Sequence, residues 1–586
     1  MTQGDRNLLI LYGTETGTAQ DVAERIAREG RRRHFRTRVF AMDEYDKSNL
    51  TLDSLVVFVC STTGQGGQPA NMTKFWRFLL RKSHSPTVLS HLKFGVFGLG
   101  DSSYIKFNFP AKKLHKRLLQ LGAQALVPRG DGDDQHYLGV DGALDPWLED
   151  LWRILMDIYP LPTGMEIVSA DVLPEATFEI RFLEDGEQVS ALDLGDVDDK
   201  PAKVIVNKRV TAEDHFQEVR HFEFDIDNDV TYSAGDVMVI CPRNLPDEIQ
   251  TVINHFGWQD IADRPFSLIP NHAGIEDNRV PSHWGRTHTI RHLFEQHLDI
   301  FGRPRRYFFE LLSFFTTDPL HSEKLRELAL PPGQDELYSY AYRPKRTMFE
   351  ILQDFHSAKI PLRYLLDLIP EMRLRSFSIS SSPIAYPHNI HLTVAIVQYK
   401  TKLKTPRTGV CTKWMRTLKP GDVVPFRIKR GTMKLPPNEA PLLMVGPGTG
   451  VAPMRSFLQE RIQFNARDNT LFFGCRYREK DYIYQSEFEQ FEKDGSLSLV
   501  AAFSRDQENK IYVQHRIKEH SALVYQKVFN QNGYVLLSGN ALRMPIDVAD
   551  ALAECLVIEG GMEREHAEKF VKDLEKEGRF QQECWS

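Results

Sequence analysis

The sequence predicts a multi-domain α/β protein: a doubly wound parallel sheet first, an antiparallel β-barrel carrying an α-helical insertion second, and another parallel α/β sheet last. Three observations predict it. Residues 7–155 alternate short apolar runs with helix-period segments, the pattern of a parallel sheet covered on both faces. Between 200 and 440 the texture changes to separated β-rich segments, and from 441 strand–helix alternation returns. A length of 586 residues suits about four compact units at roughly 150 residues each.

In the first unit, strands are expected at 8–12, 38–41, 55–60, 94–99 and 125–128, because each is a short apolar run bounded by turn residues. After residue 157, Pro160-Leu161-Pro162-Thr163-Gly164 and the acidic clusters Glu184-Asp185-Gly186-Glu187 and Asp196-Val197-Asp198-Asp199 mark a linker over 158–200. The barrel, 201–440, takes strands at 202–209, 221–226, 236–241, 374–380, 391–398 and 423–428. Its insertion, about 247–370, shows helix-period pieces at 291–297, 307–315 and 348–355. The last unit, 441–586, has buried-strand patterns at 442–445, 470–474, 497–503 and 534–538. No internal repeat or low-complexity tract is visible.

Composition narrows the function. Lys+Arg 73 against Asp+Glu 79 gives a net charge of −6, which argues against a protein built to neutralise nucleic-acid phosphates. Arg31-Arg32-Arg33, at a helix end, reads as a solvated face beside a favourable dipole. The cysteines Cys60, Cys241, Cys411, Cys475, Cys555 and Cys584 form no CxxC pair, so neither a disulfide framework nor a metal site is expected. The N-terminus reads as neither signal nor transit peptide, and no apolar run reaches about 18 residues. A cytoplasmic protein without a membrane anchor is expected, with a mitochondria-associated pool left open.

Two kinds of phosphate site are legible. Thr14-Glu15-Thr16-Gly17-Thr18-Ala19 joins the first strand to a helix, where hydroxyls and backbone N–H groups bind an anion without Lys or Arg. Ser61-Thr62-Thr63-Gly64-Gln65-Gly66, Gly98-Leu99-Gly100-Asp101-Ser102-Ser103-Tyr104 and Gly130-Asp131-Gly132-Asp133-Asp134 follow later strands at their carboxyl ends, where open parallel sheets bind ligands. Such loops suit a flat heterocycle with Tyr104 stacked on it, although each is also compatible with an ordinary turn. The second site is Gly446-Pro447-Gly448-Thr449-Gly450, between a strand and a helix. Ser504-Arg505, Lys510 and Tyr512 add hydroxyls and cations suited to a phosphomonoester such as the adenosine 2′-phosphate of NADPH.

These motifs, together with Arg375-Ser376-Phe377-Ser378, Gly409-Val410-Cys411-Thr412, Lys510-Ile511-Tyr512-Val513-Gln514 and the ending Cys584-Trp585-Ser586, resemble the diflavin reductases. The likeness is greatest to the NADPH-dependent branch that serves cytosolic iron–sulfur protein assembly, and it covers nearly the whole chain. It implies a flavodoxin-like FMN domain, an FAD-binding β-barrel and a ferredoxin-reductase-like NADPH-binding domain. By that resemblance Thr14–Ala19 would hold the FMN phosphate, while Ser61, Thr62, Thr63, Gly64 and Leu99 through Tyr104, with Ile105, Lys106, Phe107 and Asn108, would wrap its ring. Asp134 would lie near the flavin edge. Arg375, Ser376, Phe377 and Ser378, with Gly409–Thr412, would bind FAD. Lys345 stands where relatives tend to carry an Arg for FAD, and either Lys345 or Arg346 could serve. Thr449, Ser504, Arg505, Lys510–Gln514 and Asp547 would bind NADPH, and Trp585 would stack on FAD and yield to nicotinamide.

Where several relatives have Cys and Asp, this sequence has Ser538 and Glu583, which keep a hydrogen-bonding group and a carboxylate. Ser378, Ser538, Glu583 and Trp585 are therefore the expected catalytic residues. The implied reaction takes a hydride from NADPH to FAD N5, then single electrons through FMN to a one-electron acceptor. The resemblance names an anamorsin-type iron–sulfur protein as that acceptor. A soluble reductase for a haem monooxygenase or cobalamin enzyme is the alternative, and a non-catalytic scaffold a remote one.

Overall fold

The computed structural model describes residues 6–64, 66–104, 106–184, 187, 199–271, 284 and 287–585. The chain forms two compact units. One comprises residues 1–196 and 247–371, the other 197–246 and 372–586.

The first unit is built on a parallel sheet in the order Arg36–Ala41, Asn7–Gly13, Leu55–Ser61, Lys93–Gly100, with Gln124–Ala125 and Gly130–Asp133 both pairing to the last. The central strands are buried on both faces and read as continuous apolar runs. Helices Thr18–Arg32 and Asp141–Ile158 cover one face through Ala23, Ile26, Leu148 and Trp152. Helix Phe109–Gln120 and the short Thr73–Leu79 cover the other through Leu114, Leu118 and Phe75. The fifth strand departs from the expected 125–128. That stretch is mostly irregular, and the Gly130–Asp133 stretch expected as a loop is itself a strand, because its glycines leave room for Phe97 against the sheet.

Arg31-Arg32-Arg33 is not a bare solvated face. Arg31 donates to Thr37 Oγ1, Arg32 pairs with Glu310 and Arg33 lies over Trp152. Residues 247–371 form a helical region with its own core, including Phe294, Phe309, Leu312, Ile351 and Leu365. Helices Arg306–Ser313 and Met348–Asp354 fall close to their predicted positions. The expected helix at 291–297 is instead one α-turn, Ile290–His292, followed by a π-helical turn, Leu293–His297. Phe178–Phe182, inside the span read as a linker, is a strand paired antiparallel with Phe266–Pro270. The acidic clusters at 185–186 and 196–198 lie outside the described residues.

The second unit contains a six-stranded antiparallel sheet in the order Arg375–Ser378, Val237–Ile240, Val423–Lys429, Lys200–Arg209, Val219–Ile226, Asn389–Ala395. A bridge between Ile379 and Leu392 joins its two ends, which closes the barrel. Phe222, Phe224, Met238 and Leu392 fill it, and helix Val410–Thr417 adds Trp414 and Met415. The same unit holds a five-stranded parallel sheet in the order Ser498–Phe503, Asn469–Cys475, Leu442–Val445, Tyr534–Asn540, Phe580–Trp585. Its last strand was not visible as a pattern, because Gln581, Gln582 and Glu583 interrupt the apolar run that marks a buried strand. Strand order reverses at Leu442–Val445, so the crevice beyond its carboxyl end is the topological switch point.

Candidate functional site

Three loops leave the carboxyl ends of adjacent strands in the first unit. Gly17, with φ 81°, precedes helix Thr18–Arg32 and donates its N–H to Thr14 Oγ1 at 2.7 Å. Thr14 N–H donates to Asn71 Oδ1 at 2.9 Å, and Ala70 N–H donates to Glu15 at 3.1 Å. The loop is thus pinned from a neighbouring segment, leaving Thr16 and Thr18 exposed at the helix N-terminus. Asn71 escaped the sequence reading, since nothing local ties a residue 57 positions away to this loop.

The other loops converge on the same end. Ser61 pairs in register with Leu99, and Gly100 with Asp133. A Cβ on Gly100 would lie 2.5 Å from Asn108 Oδ1, so the loop needs glycine there. Asn108 is fully buried, sits at φ 51° and donates to Gly132 O at 3.2 Å. Asp101 closes its own loop by accepting from Ser103 N–H and Gln135. Asp134 is exposed, and its N–H donates to Gly100 O. Tyr104, Lys106 and Phe107 are half-buried on the same loop, and Thr62 Oγ1 is buried without a hydrogen-bond partner. These features fit a flat, phosphorylated heterocycle such as FMN. Ile105 lies outside the described residues.

In the second unit, Ser378 Oγ donates to Glu583 Oε1 at 3.0 Å, and Thr432 Oγ1 donates to Glu583 Oε2 at 3.1 Å. Glu583 is the register partner of Ser538, and Trp585 of Asn540, across adjacent parallel strands. Ser538 is fully buried, and its Oγ lacks a hydrogen-bond partner. Two of the expected catalytic side chains, Ser378 and Glu583, therefore meet, and Ser538 stands beside Glu583 in strand register. Thr432, which completes the carboxylate's hydrogen bonding, had no distinguishing signal in the sequence.

Arg375 lies on the strand paired to Val237–Ile240, and its guanidinium donates to Arg373 O. It also faces Cys411, whose thiol burial pushes up to about 12 against the opposing Arg375 charge. Gly409 precedes helix Val410–Thr417, and Thr412 Oγ1 accepts from Val397 N–H at 3.0 Å, fixing the turn. A guanidinium beside a helix N-terminus fits a pyrophosphate such as that of FAD. Lys345 belongs to the first unit, at φ 56°, where burial and Arg303 lower its pKa against the pull of Asp134. Arg346 is engaged by Tyr340 O and Asp354.

Gly448 sits at φ 57° in the turn holding Thr449, and a Cβ on Gly450 would lie 2.2 Å from Ser538 O. This contact places the glycine turn directly against the backbone of Ser538, the register neighbour of Glu583. Ser504 directly follows strand Ser498–Phe503, and Arg505 and Lys510 are exposed cations beyond it. Gln514 donates to Asp547 at 3.3 Å, so these two expected residues are neighbours. Ile511 and Val513 pack into the core, which leaves them only their backbone groups to offer a nucleotide. Tyr512 is exposed.

Comparison with known proteins matches three domain families in succession along the chain. The flavodoxin family matches residues 10–147, the FAD binding domain 197–414 and the oxidoreductase NAD-binding domain 444–549. The chain is 46% identical over 99% of its length to NADPH-dependent diflavin oxidoreductase 1 of Xenopus laevis, all of which it covers. It is 47% identical to the protein of that name from Danio rerio, over 99% of each chain. The likeness to the Arabidopsis thaliana protein of the same name is 37%, over the whole of both.

Proposed function

The chain belongs to the NADPH-dependent diflavin oxidoreductase family, and from that premise we propose that it delivers electrons from NADPH to an anamorsin-type iron–sulfur protein in cytosolic iron–sulfur cluster assembly. It is an oxidoreductase, with an FMN site in the flavodoxin domain, an FAD site in the FAD-binding domain and an NADPH site in the NAD-binding domain. The observation that carries the electron-transfer reading is the Ser378–Glu583 hydrogen bond beside Ser538, whose backbone meets the Gly450 turn.

When bound, the two flavins supply the conversion of a two-electron donor into single-electron output. The chain's own residues bind, orient and handle protons. Backbone N–H groups following Gly17 hold the FMN phosphate, and the loops at Ser61–Gly64 and Leu99–Asn108 enclose its ring. Arg375 and the N–H groups at Val410–Thr412 hold the FAD pyrophosphate, with Phe377 and Trp585 as flat covers. Ser504, Arg505, Lys510 and Tyr512 select a 2′-phosphate, while Thr449, Gln514 and Asp547 line the same site. Glu583 holds a proton acceptor against Ser378 Oγ, and Ser538 offers a second hydroxyl on the adjacent strand.

The site of action is the cytoplasm. No helix among the described residues is long and apolar enough to cross a membrane.

The test is anaerobic. A catalytic amount of protein is mixed with excess NADPH and an oxidised anamorsin-type iron–sulfur protein, with a haem protein in a parallel cell. Fast bleaching of the cluster and slow haem reduction support the proposal. A cluster that stays oxidised while the flavins are reduced, or a faster haem acceptor, overturns the acceptor assignment.

A further inference from the structure

We propose that His288, His292 and His297 form a binding site for a divalent transition metal of the Zn²⁺ class within the helical region of the first unit. One ring nitrogen from each of the three lies within 4.8 Å of the others. A tetrahedral zinc with bonds of about 2.0–2.1 Å holds its ligand atoms about 3.4 Å apart, a distance that modest side-chain rotations supply. Three imidazoles without a thiolate suit Zn²⁺, Cu²⁺ or Ni²⁺ and not Mg²⁺ or Ca²⁺.

The backbone explains why the rings converge. His292 ends a single α-turn and His297 ends the π-helical turn that follows. Five residues apart on an ordinary α-helix, the two side chains would diverge by about 140°, whereas the wider π turn brings them back to one side. Their ring centroids are 5.0 Å apart. His288 enters from an extended segment bridged to Phe266. Inserted single π turns recur at functional sites, and this one is needed for the ring pair.

The surroundings favour a cation. His288 is fully buried, and Trp284 stacks on His297 with centroids 4.9 Å apart, so the cluster is walled from solvent on that side. Trp284 Nε1 donates to Glu371 at 3.2 Å, which brings a carboxylate to the wall. Arg291, the nearest cation in sequence, is turned away to Asp263 and Gln250. A second cluster, His221, Glu223 and His391, differs on this point. Arg455 stands 3.2 Å from His391 Nδ1, so a cation there is repelled.

The full-length holoprotein, stripped with a chelator, is dialysed to equilibrium against a zinc buffer, its zinc content read by mass spectrometry and its coordination by zinc K-edge absorption. One Zn²⁺ per chain, with nitrogen neighbours at about 2.0 Å, is the expected result. His292→Gln should weaken binding at least tenfold, and His84→Gln should leave it unchanged. Zinc lost to the buffer overturns the proposal. So does sulfur scattering at about 2.3 Å, which would put the ion on cysteines, or unchanged binding in His292→Gln. If that variant fails to fold, His297→Gln takes its place, and unchanged zinc binding in it overturns the proposal.

Discussion

Ser378 Oγ and Glu583 Oε1 meet at 3.0 Å although 205 residues separate them, and this hydrogen bond ties the barrel to the terminal strand of the parallel sheet. Because Thr432 donates to the other carboxylate oxygen, Glu583 is held in one orientation by two hydroxyls. Ser378→Ala and Glu583→Gln should each slow anaerobic reduction of FAD by NADPH by about 10²-fold, the lower range for a positioned proton-handling group. FMN content should not change. Stopped-flow absorbance of FAD reduction checks this, and a rate within twofold of the parent protein would remove both residues from the chemistry.

Gly450 has no space for a side chain, since a Cβ would lie 2.2 Å from the Ser538 carbonyl oxygen. Gly450→Ala must push the nucleotide turn away from the crevice. The expected outcome is a rise of tenfold or more in KM for NADPH with FAD retained, measured by steady-state kinetics and flavin release. Equal loss of FAD would show a wider collapse instead.

Gly17 occupies the left-handed region at φ 81°, where a branched side chain costs about 1–2 kcal/mol. Gly17→Val should empty the first unit of FMN while the second keeps FAD, so that released flavin changes from comparable amounts of both to FAD alone. Chromatography of the released flavins distinguishes this from general unfolding, which would lose both.

Much of this was legible in the sequence for a physical reason. Strands buried on both faces, such as Leu55–Ser61 and Leu442–Val445, announce themselves as unbroken apolar runs. Glycine turns at Gly17 and Gly450 do so because a left-handed φ at the first and the Ser538 carbonyl against the second favour glycine. Long-range partners do not. Asn71 supports Thr14, and Thr432 supports Glu583, through single hydrogen bonds that leave no periodic trace. Strand Gly130–Asp133 hid as a loop because its composition is that of a turn, and pairing with Phe97–Gly100 overrides it. The π turn at Leu293–His297 likewise shares the apolar period of an α-helix and cannot be told from one by pattern.

Arg461 is fully buried in the second unit, with its guanidinium donating to Asn469 Oδ1, Pro437 O and Ala440 O. It organises the chain leading into strand Leu442–Val445 rather than a ligand. Arg461→Leu should leave those acceptors unsatisfied and cost on the order of 3 kcal/mol. Chemical denaturation followed by FAD fluorescence should show an earlier transition, with FMN release unaffected.

His391 supplies the pH dependence. Burial, Arg455 and His221 together push its pKa down to about 2, so it is neutral in the folded protein at every working pH. An unfolded histidine takes up a proton near pH 6.5. The unfolded state therefore binds more protons below that pH, and the stability present above it falls by up to about 1.4 kcal/mol per pH unit on acidification. The loss continues until the folded pKa is reached. His391 faces Arg455 at 3.2 Å and Glu223 at 4.0 Å, while Tyr386 packs on its ring, so the site has a cation, a carboxylate and an aromatic as neighbours. Since the carboxylate is the more distant charge and burial dominates, Glu223 does not reverse the sign. His391→Asn removes the titrating group while keeping a polar side chain. Between pH 6.5 and 4.5 the second unit of this variant should lose stability more slowly with falling pH than the parent, whatever its absolute stability. Denaturant titrations at several pH values, read from FAD fluorescence, measure the two slopes. Parallel slopes would mean that His391 is protonated in the folded protein after all.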